Sequence, residues 1–107
     1  YLNERGGNDS YSVPNLSLGG GNANGMGIFH DHAGDDAYST KAGTTLGRAN
    51  GTEAGPRKYL GCFGLFVDGG GVDSYLEPYA ANGTRWTGPK KDQENPDPFE
   101  VGIGIDR

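Results

Sequence analysis

At 107 residues the chain has room for one small domain, and 33% hydrophobic residues with 21 glycines leave too little apolar mass for a thick core between helices. A net charge of -5, with Lys and Arg scattered apart from the pairs Arg57–Lys58 and Lys90–Lys91, argues against a nucleic-acid surface. No apolar run approaches the roughly 18 residues of a membrane span, and there is no signal-peptide core.

Read in chain order, three segments align without gaps. They are Tyr1–Tyr11 (YLNERGGNDSY), Ile28–Tyr38 (IFHDHAGDDAY) and Leu65–Tyr75 (LFVDGGGVDSY), with a fourth partial copy at Ile103–Arg107 (IGIDR). The shared pattern is apolar–apolar–x–Asp/Glu–x–x–Gly–x–Asp–x–Tyr. One acidic column holds Glu4, Asp31, Asp68 and Asp106, and a second holds Asp9, Asp36 and Asp73. Glycines 7, 34 and 71 and tyrosines 11, 38 and 75 complete the unit. A second marker, Ala-Asn-Gly, falls once in each connection, at Ala23–Gly25, Ala49–Gly51 and Ala81–Gly83. The repeating units therefore run over about 1–27, 28–64 and 65–102, with the start of a further unit at 103–107. Offsets of 27, 37 and 38 along the first acidic column show that the connections vary while the unit is kept.

Each unit predicts a short strand, as in Phe63–Val67, bounded by Gly and Asp and rich in β-formers. A D-x-x-G-x-D corner follows, with Gly free to take positive φ and Asp bonding nearby N–H groups. A second strand starts at the Tyr. No window sustains helical spacing, and the stretch from Trp86 to Phe99, with Pro89, Pro96 and Pro98, is expected to be a polar loop. A single domain over 1–107 follows, of all-β class. The expected architecture is an irregular β-solenoid, β-helix or β-roll-like, with Gly-rich loops, because such units bury their faces only when stacked. The alternative is a partial β-propeller, whose blades have similar periods.

The corners at Gly6–Val13 and Asp68–Leu76 resemble the calcium-binding nonapeptides, G-G-x-G-x-D-x-U-x, of RTX-type secreted proteins. They are also similar to G-L-F-x-D-x-x-G-x-D-x-Y repeats of secreted bacterial proteins. The first Gly of the nonapeptide is Glu4, Asp31 or Asp68 here. The resemblance implies a secreted, calcium-binding stack. Independently, carboxylates five residues apart across a Gly turn (Glu4 with Asp9, Asp31 with Asp36, Asp68 with Asp73) suit calcium, a hard cation that takes oxygen ligands. The candidate metal residues are Glu4, Asp9, Asp31, Asp36, Asp68, Asp73 and Asp106. The competing reading makes each Asp a turn residue that caps its own corner.

Other residues carry less. His30 and His32 flank Asp31 and lack two further zinc ligands. Cys62, the sole cysteine, reads as a buried small hydrophobe. Asn50 and Asn82 are candidate glycosylation sites in equivalent Ala-Asn-Gly-Thr contexts, whereas the sequon at Asn8 lies inside a corner. No catalytic motif is present, and paired carboxylates that repeat identically do not supply the unlike environments of a catalytic pair. The expected function is a non-enzymatic structural protein, extracellular or on the cell surface. Its first residue is not Met, which suggests a processed product or a segment of a longer chain. Self-association is expected head to tail into a filament or surface array, with the strand at Ile103–Asp106 donating to the strand at Tyr1–Glu4. The alternative is a secreted glycan- or partner-binding module, whose sign would be an aromatic platform such as Trp86 with Tyr79.

Overall fold

The computed structural model of the chain describes residues 1–41, 43–52, 55–88 and 100–107. Ten strands follow one another: β1 (Leu2–Asn3), β2 (Ser10–Val13), β3 (Gly21–Asn22), β4 (Met26–Asp31), β5 (Ala37–Thr40), β6 (Ala49–Asn50), β7 (Cys62–Asp68), β8 (Ser74–Tyr75), β9 (Arg85–Thr87) and β10 (Glu100–Ile105). They form a five-stranded sheet in the order β1-β4-β7-β10-β9, a three-stranded sheet β2-β5-β8 and a two-stranded sheet β3-β6.

The repeat sets the register. Ile28 pairs with Leu65, Phe29 with Phe66 and Asp31 with Asp68 between parallel β4 and β7, and Leu65 pairs with Ile103 between β7 and β10. Tyr11, Tyr38 and Tyr75 lie side by side in parallel β2, β5 and β8. Strand alternation then decides what is buried. Phe29 and Asp31 share the inner face of β4, as Phe66 and Asp68 share that of β7, and all four are buried. Phe29 stacks on Phe66 at 5.2 Å, while Tyr38 stacks between Tyr11 and Tyr75 at 5.2 and 5.0 Å. The two columns meet edge to face, the geometry that aromatic quadrupoles favour.

The expectation of an all-β solenoid, and the partial propeller with it, is corrected. The strands fall into three separate sheets, parallel and mixed, that do not close into a solenoid. The physical reason lies in the third connection. Its first two counterparts pair as β3 and β6, but Ala81–Gly83 takes no part in that sheet and the chain reverses. Strand β9 then runs antiparallel to β10, with Trp86 opposite Gly104. The Phe column has a glycine at this point, and the indole of Trp86 fills the space a third ring would occupy. A side chain at Gly104 would collide with that indole. Trp86 packs on Phe66 and Tyr75, and its N–H donates to the Leu46 carbonyl at 2.8 Å. The polar loop expected from Trp86 is thus a strand at its start, and from residue 89 to 99 it lies outside the described residues.

The reversal also alters the head-to-tail expectation. The strand at Ile103–Asp106, named as the donor edge, is interior to its sheet because β9 covers its outer side.

Candidate metal centre

Where β4 and β7 end, the inner face passes from the rings of Phe29 and Phe66 to the carboxylates of Asp31 and Asp68, and Glu4 takes the same position after β1. The chain turns there through the D-x-x-G-x-D corner and re-enters at β2, β5 or β8. Adjacent corners are zipped by backbone bonds, Gly7 N–H to Ala33 O and Gly34 N–H to Gly70 O, both at 3.0 Å. The glycine column is obligatory. Gly34 and Gly71 have φ of 155° and 149°, and a Cβ on either would overlap the carbonyl oxygen of the glycine one unit earlier.

Three ladders of side-chain bonds cross between units. Tyr11, Tyr38 and Tyr75 donate their hydroxyls to Asp31, Asp68 and Asp106 at 2.9, 2.6 and 2.6 Å. The N–H groups of Asp9, Asp36 and Asp73 donate to Asp36 Oδ1, Asp73 Oδ1 and Asn82 Oδ1 at 2.7, 2.8 and 2.5 Å. On the rim, Asp35 N–H donates to Asn8 Oδ1 and Val72 N–H to Asp35 Oδ1. Every acidic position in the second column after Asp9 thus caps the unit before it, and Asn82 takes the place of a fourth aspartate. Sequence reading gave Asn82 a glycosylation role only, and nothing in its spacing from Asp73 signalled the substitution.

These ladders use one oxygen of Asp36 and one of Asp73. The other oxygen of each, Oδ2, is buried and has no hydrogen-bond partner among the described residues. Asp36, Asp68 and Asp73, each at most 8% exposed, bring one oxygen apiece to within 4.8 Å of one another. Glu4, Asp9 and Asp31 form a second, more open group with the same spacing. Both groups take two carboxylates from one corner and one from its neighbour. The pairs Glu4–Asp9 and Asp68–Asp73 are brought together as expected, whereas Asp31 and Asp36 go to different groups. Asp106 joins neither among the described residues. Its oxygens accept the Tyr75 hydroxyl and the Gly83 N–H.

Buried acidic clusters of this kind could hold a metal ion. An ion at about 2.3–2.6 Å from each oxygen fits donors this far apart, and three carboxylates with no nitrogen or sulfur suit a hard cation. Without one, like charges face each other in a poor dielectric. Burial above all, with the neighbouring carboxylates adding to it, raises Asp31 and Asp73 to about 6, and burial raises Asp36 as well. Burial followed by Asp68 or Asp106 holds Tyr38 and Tyr75 far above the ordinary phenol range, so both remain donors. Backbone N–H groups at Gly6 and Arg5 lower Glu4 instead.

The pH dependence of the metal-free protein follows from these shifts. The folded state keeps protons on Asp31 and Asp73 up to about pH 6, which the unfolded chain releases near pH 4. Stability therefore falls as pH rises through that window. His30, lowered chiefly by burial and then by His32 and Arg107, opposes this as a single group. Melts in metal-free buffer are expected to show a higher Tm near pH 5 than at pH 7. Tyr38→Phe is expected to cost about 2 kcal/mol, since it strips a donor from the buried carboxylate of Asp68, a loss that chemical denaturation would read.

The remaining candidates stand apart from the acidic groups. The rings of His30 and His32 stack at 4.0 Å, and His32 Nε2 meets Asn3 Oδ1. Cys62 is buried in β7. Asn50 donates its amide to Asn22, while Asn82 lies exposed in a turn. Trp86 and Tyr79 do not form the surface platform that would mark the alternative of a binding module, because Trp86 is buried and the Tyr79 ring is covered by the Arg48 guanidinium at 3.4 Å. Among the described residues, no helix is long and apolar enough to cross a membrane. Compared with known proteins, the chain matches no family model, no curated protein and no solved structure.

Proposed function

We propose that this chain is a non-enzymatic structural repeat module working outside the cell, with calcium held between successive acidic corners as part of its fold. One observation carries this reading. Asp36 and Asp73, on adjacent units, each keep a buried carboxylate oxygen without a partner, within a three-carboxylate cluster completed by Asp68. A turn-capping role accounts for the Oδ1 atoms and leaves the Oδ2 atoms unexplained. A cation shared by both units would satisfy them and offset the burial, and after it the repulsion, that raises their pKa. Calcium is the choice among hard cations because its coordination shell is large and tolerant, and water or backbone carbonyls can complete it. The likeness of the corners to RTX-type nonapeptides points to the same ion and to secretion.

The role is tested by protease resistance at the millimolar calcium of extracellular fluid. The chain is expected to survive in calcium and to be cut in its turns after chelation, because ligand bound only to the folded state lowers the open population. Equal digestion in both conditions would remove calcium from the account.

A further inference from the structure

The two ends of the molecule differ. At the β10 end three features are closed off: β9 covers the edge of the five-stranded sheet, Trp86 covers Tyr75 and Phe66, and Asn82 and Gly83 bond Asp73 and Asp106, while β8 stays the edge of its own sheet. At the β1 end none of these terminators is found among the described residues. Strand β1 is the outermost strand of its sheet, β2 is the edge of the other, and Leu2, which continues the Phe column, is 53% exposed. Among the described residues Tyr11 is stacked on one side only, by Tyr38.

The polar groups at this end are unsatisfied in a specific way. Asp31, Asp68 and Asp106 each accept a hydroxyl from the Tyr of the preceding unit, but Glu4 accepts from Gly6 N–H of its own corner and, among the described residues, from no tyrosine. Asp36 and Asp73 each accept an N–H from the preceding unit and Asn82 accepts that of Asp73 within its own unit, whereas Asp9 has no such donor among the described residues. The edge therefore offers an apolar step at Leu2, an open ring face at Tyr11 and two carboxylates lacking the donors their counterparts have.

We infer that this β1–β2 edge is a docking surface for one further extended segment of the repeat's own pattern. Such a segment would lay its apolar pair along Leu2 and stack its Tyr on Tyr11. It would give its Tyr hydroxyl to Glu4 and the N–H of its second Asp to Asp9, as each unit inside the chain does for the next. A second whole copy is a poorer occupant. Its β10 side is covered by β9, and two β1 edges facing each other would oppose Glu4 and Asp9 to like charges. The inference rests on the stacking inside the chain and is independent of calcium.

The probe is a labelled peptide with the sequence of this chain's third unit, LFVDGGGVDSY, added to the full chain in calcium and in chelator. Expected are saturable binding and NMR shifts at Leu2, Glu4 and Tyr11. Binding should weaken about tenfold with Leu2→Lys, since charge on an edge strand opposes pairing, and also when the peptide ends in Phe in place of Tyr. In a second arm a copy of residues 28–64 is fused ahead of Tyr1, which raises its effective concentration. The fusion is expected to melt higher than the chain alone and to resist protease in the added unit. Shifts at Arg85–Thr87 instead, dimerisation of the chain alone that Leu2→Lys abolishes, or silence in both arms would each overturn the inference. Binding intact in calcium and lost in chelator supports it, because the edge exists only while the chain is folded. Binding that persists when calcium has no effect on stability leaves it standing while the calcium reading fails.

Discussion

Gly71→Ala is expected to remove more than about 4 kcal/mol of stability, a large share of the roughly 5–15 kcal/mol that holds a domain together, and to leave no sharp thermal transition. Two effects combine at this residue. Its φ of 149° is one that a side chain rarely adopts, and the added Cβ would overlap the carbonyl oxygen of Gly34. Relief would require separating two corners, and the same movement would break the bond from Asp36 N–H to Asp73. Gly83→Ala separates the two causes. Gly83 also has positive φ, at 70°, but a methyl group at that position would have open space for 4 Å around it. Its cost should be near 1 kcal/mol, or about 4–8 °C in Tm. If the two variants melt alike, the corners are not in close contact and the glycine column is a matter of backbone conformation alone.

The second large effect is a reversal of sign at Asp73. In metal-free buffer at pH 7, Asp73→Asn is expected to raise Tm. It removes a charge that burial and the neighbouring carboxylates disfavour while an amide oxygen still accepts from Asp36 N–H. In millimolar calcium the same variant is expected to melt below the parent, because a ligand has been lost. The parent itself should gain about 3–4 kcal/mol if its dissociation constant lies two to three decades below the calcium concentration, a shift of well over 10 °C at this size. Asp106→Asn is the control. Asp106 lies outside both acidic groups and its oxygens are already bonded, so calcium should not change the sign of its effect. A pure turn-capping role would give Asp73→Asn the same sign in both buffers.

Much of the inner wiring was legible because the repeat writes it as columns. Equal spacing within each unit forces Phe29 onto Phe66 and Asp31 onto Asp68, and the tyrosines follow. The hydroxyl-to-carboxylate ladder was available from the same columns, since Tyr and Asp recur seven residues apart at facing strand ends. The sheet architecture was not legible, because it depends on residues that break the repeat. Gly104 stands where a ring is expected, and only the folded chain shows that Trp86, eighteen positions earlier, fills the gap from an antiparallel strand. Likewise Asn82 matches Asn50 in the alignment, yet Asn50 pairs with Asn22 whereas Asn82 closes the Asp column. Local identity did not carry over to the third connection because its neighbours differ there. The division of Asp31 and Asp36 between two acidic groups has the same origin. Each group spans two corners, and sequence spacing reports only on one.

The central claim is that the cluster of Asp36, Asp68 and Asp73 is an ion site rather than a set of caps. Calorimetric titration of calcium into metal-stripped protein tests it most directly, run alongside Asp73→Asn. The account predicts saturable binding in the parent, with the site formed by Asp36, Asp68 and Asp73 lost or weakened at least about tenfold in the variant, as removal of a charged ligand implies. Absence of binding at millimolar calcium, or identical isotherms for parent and variant, would contradict it.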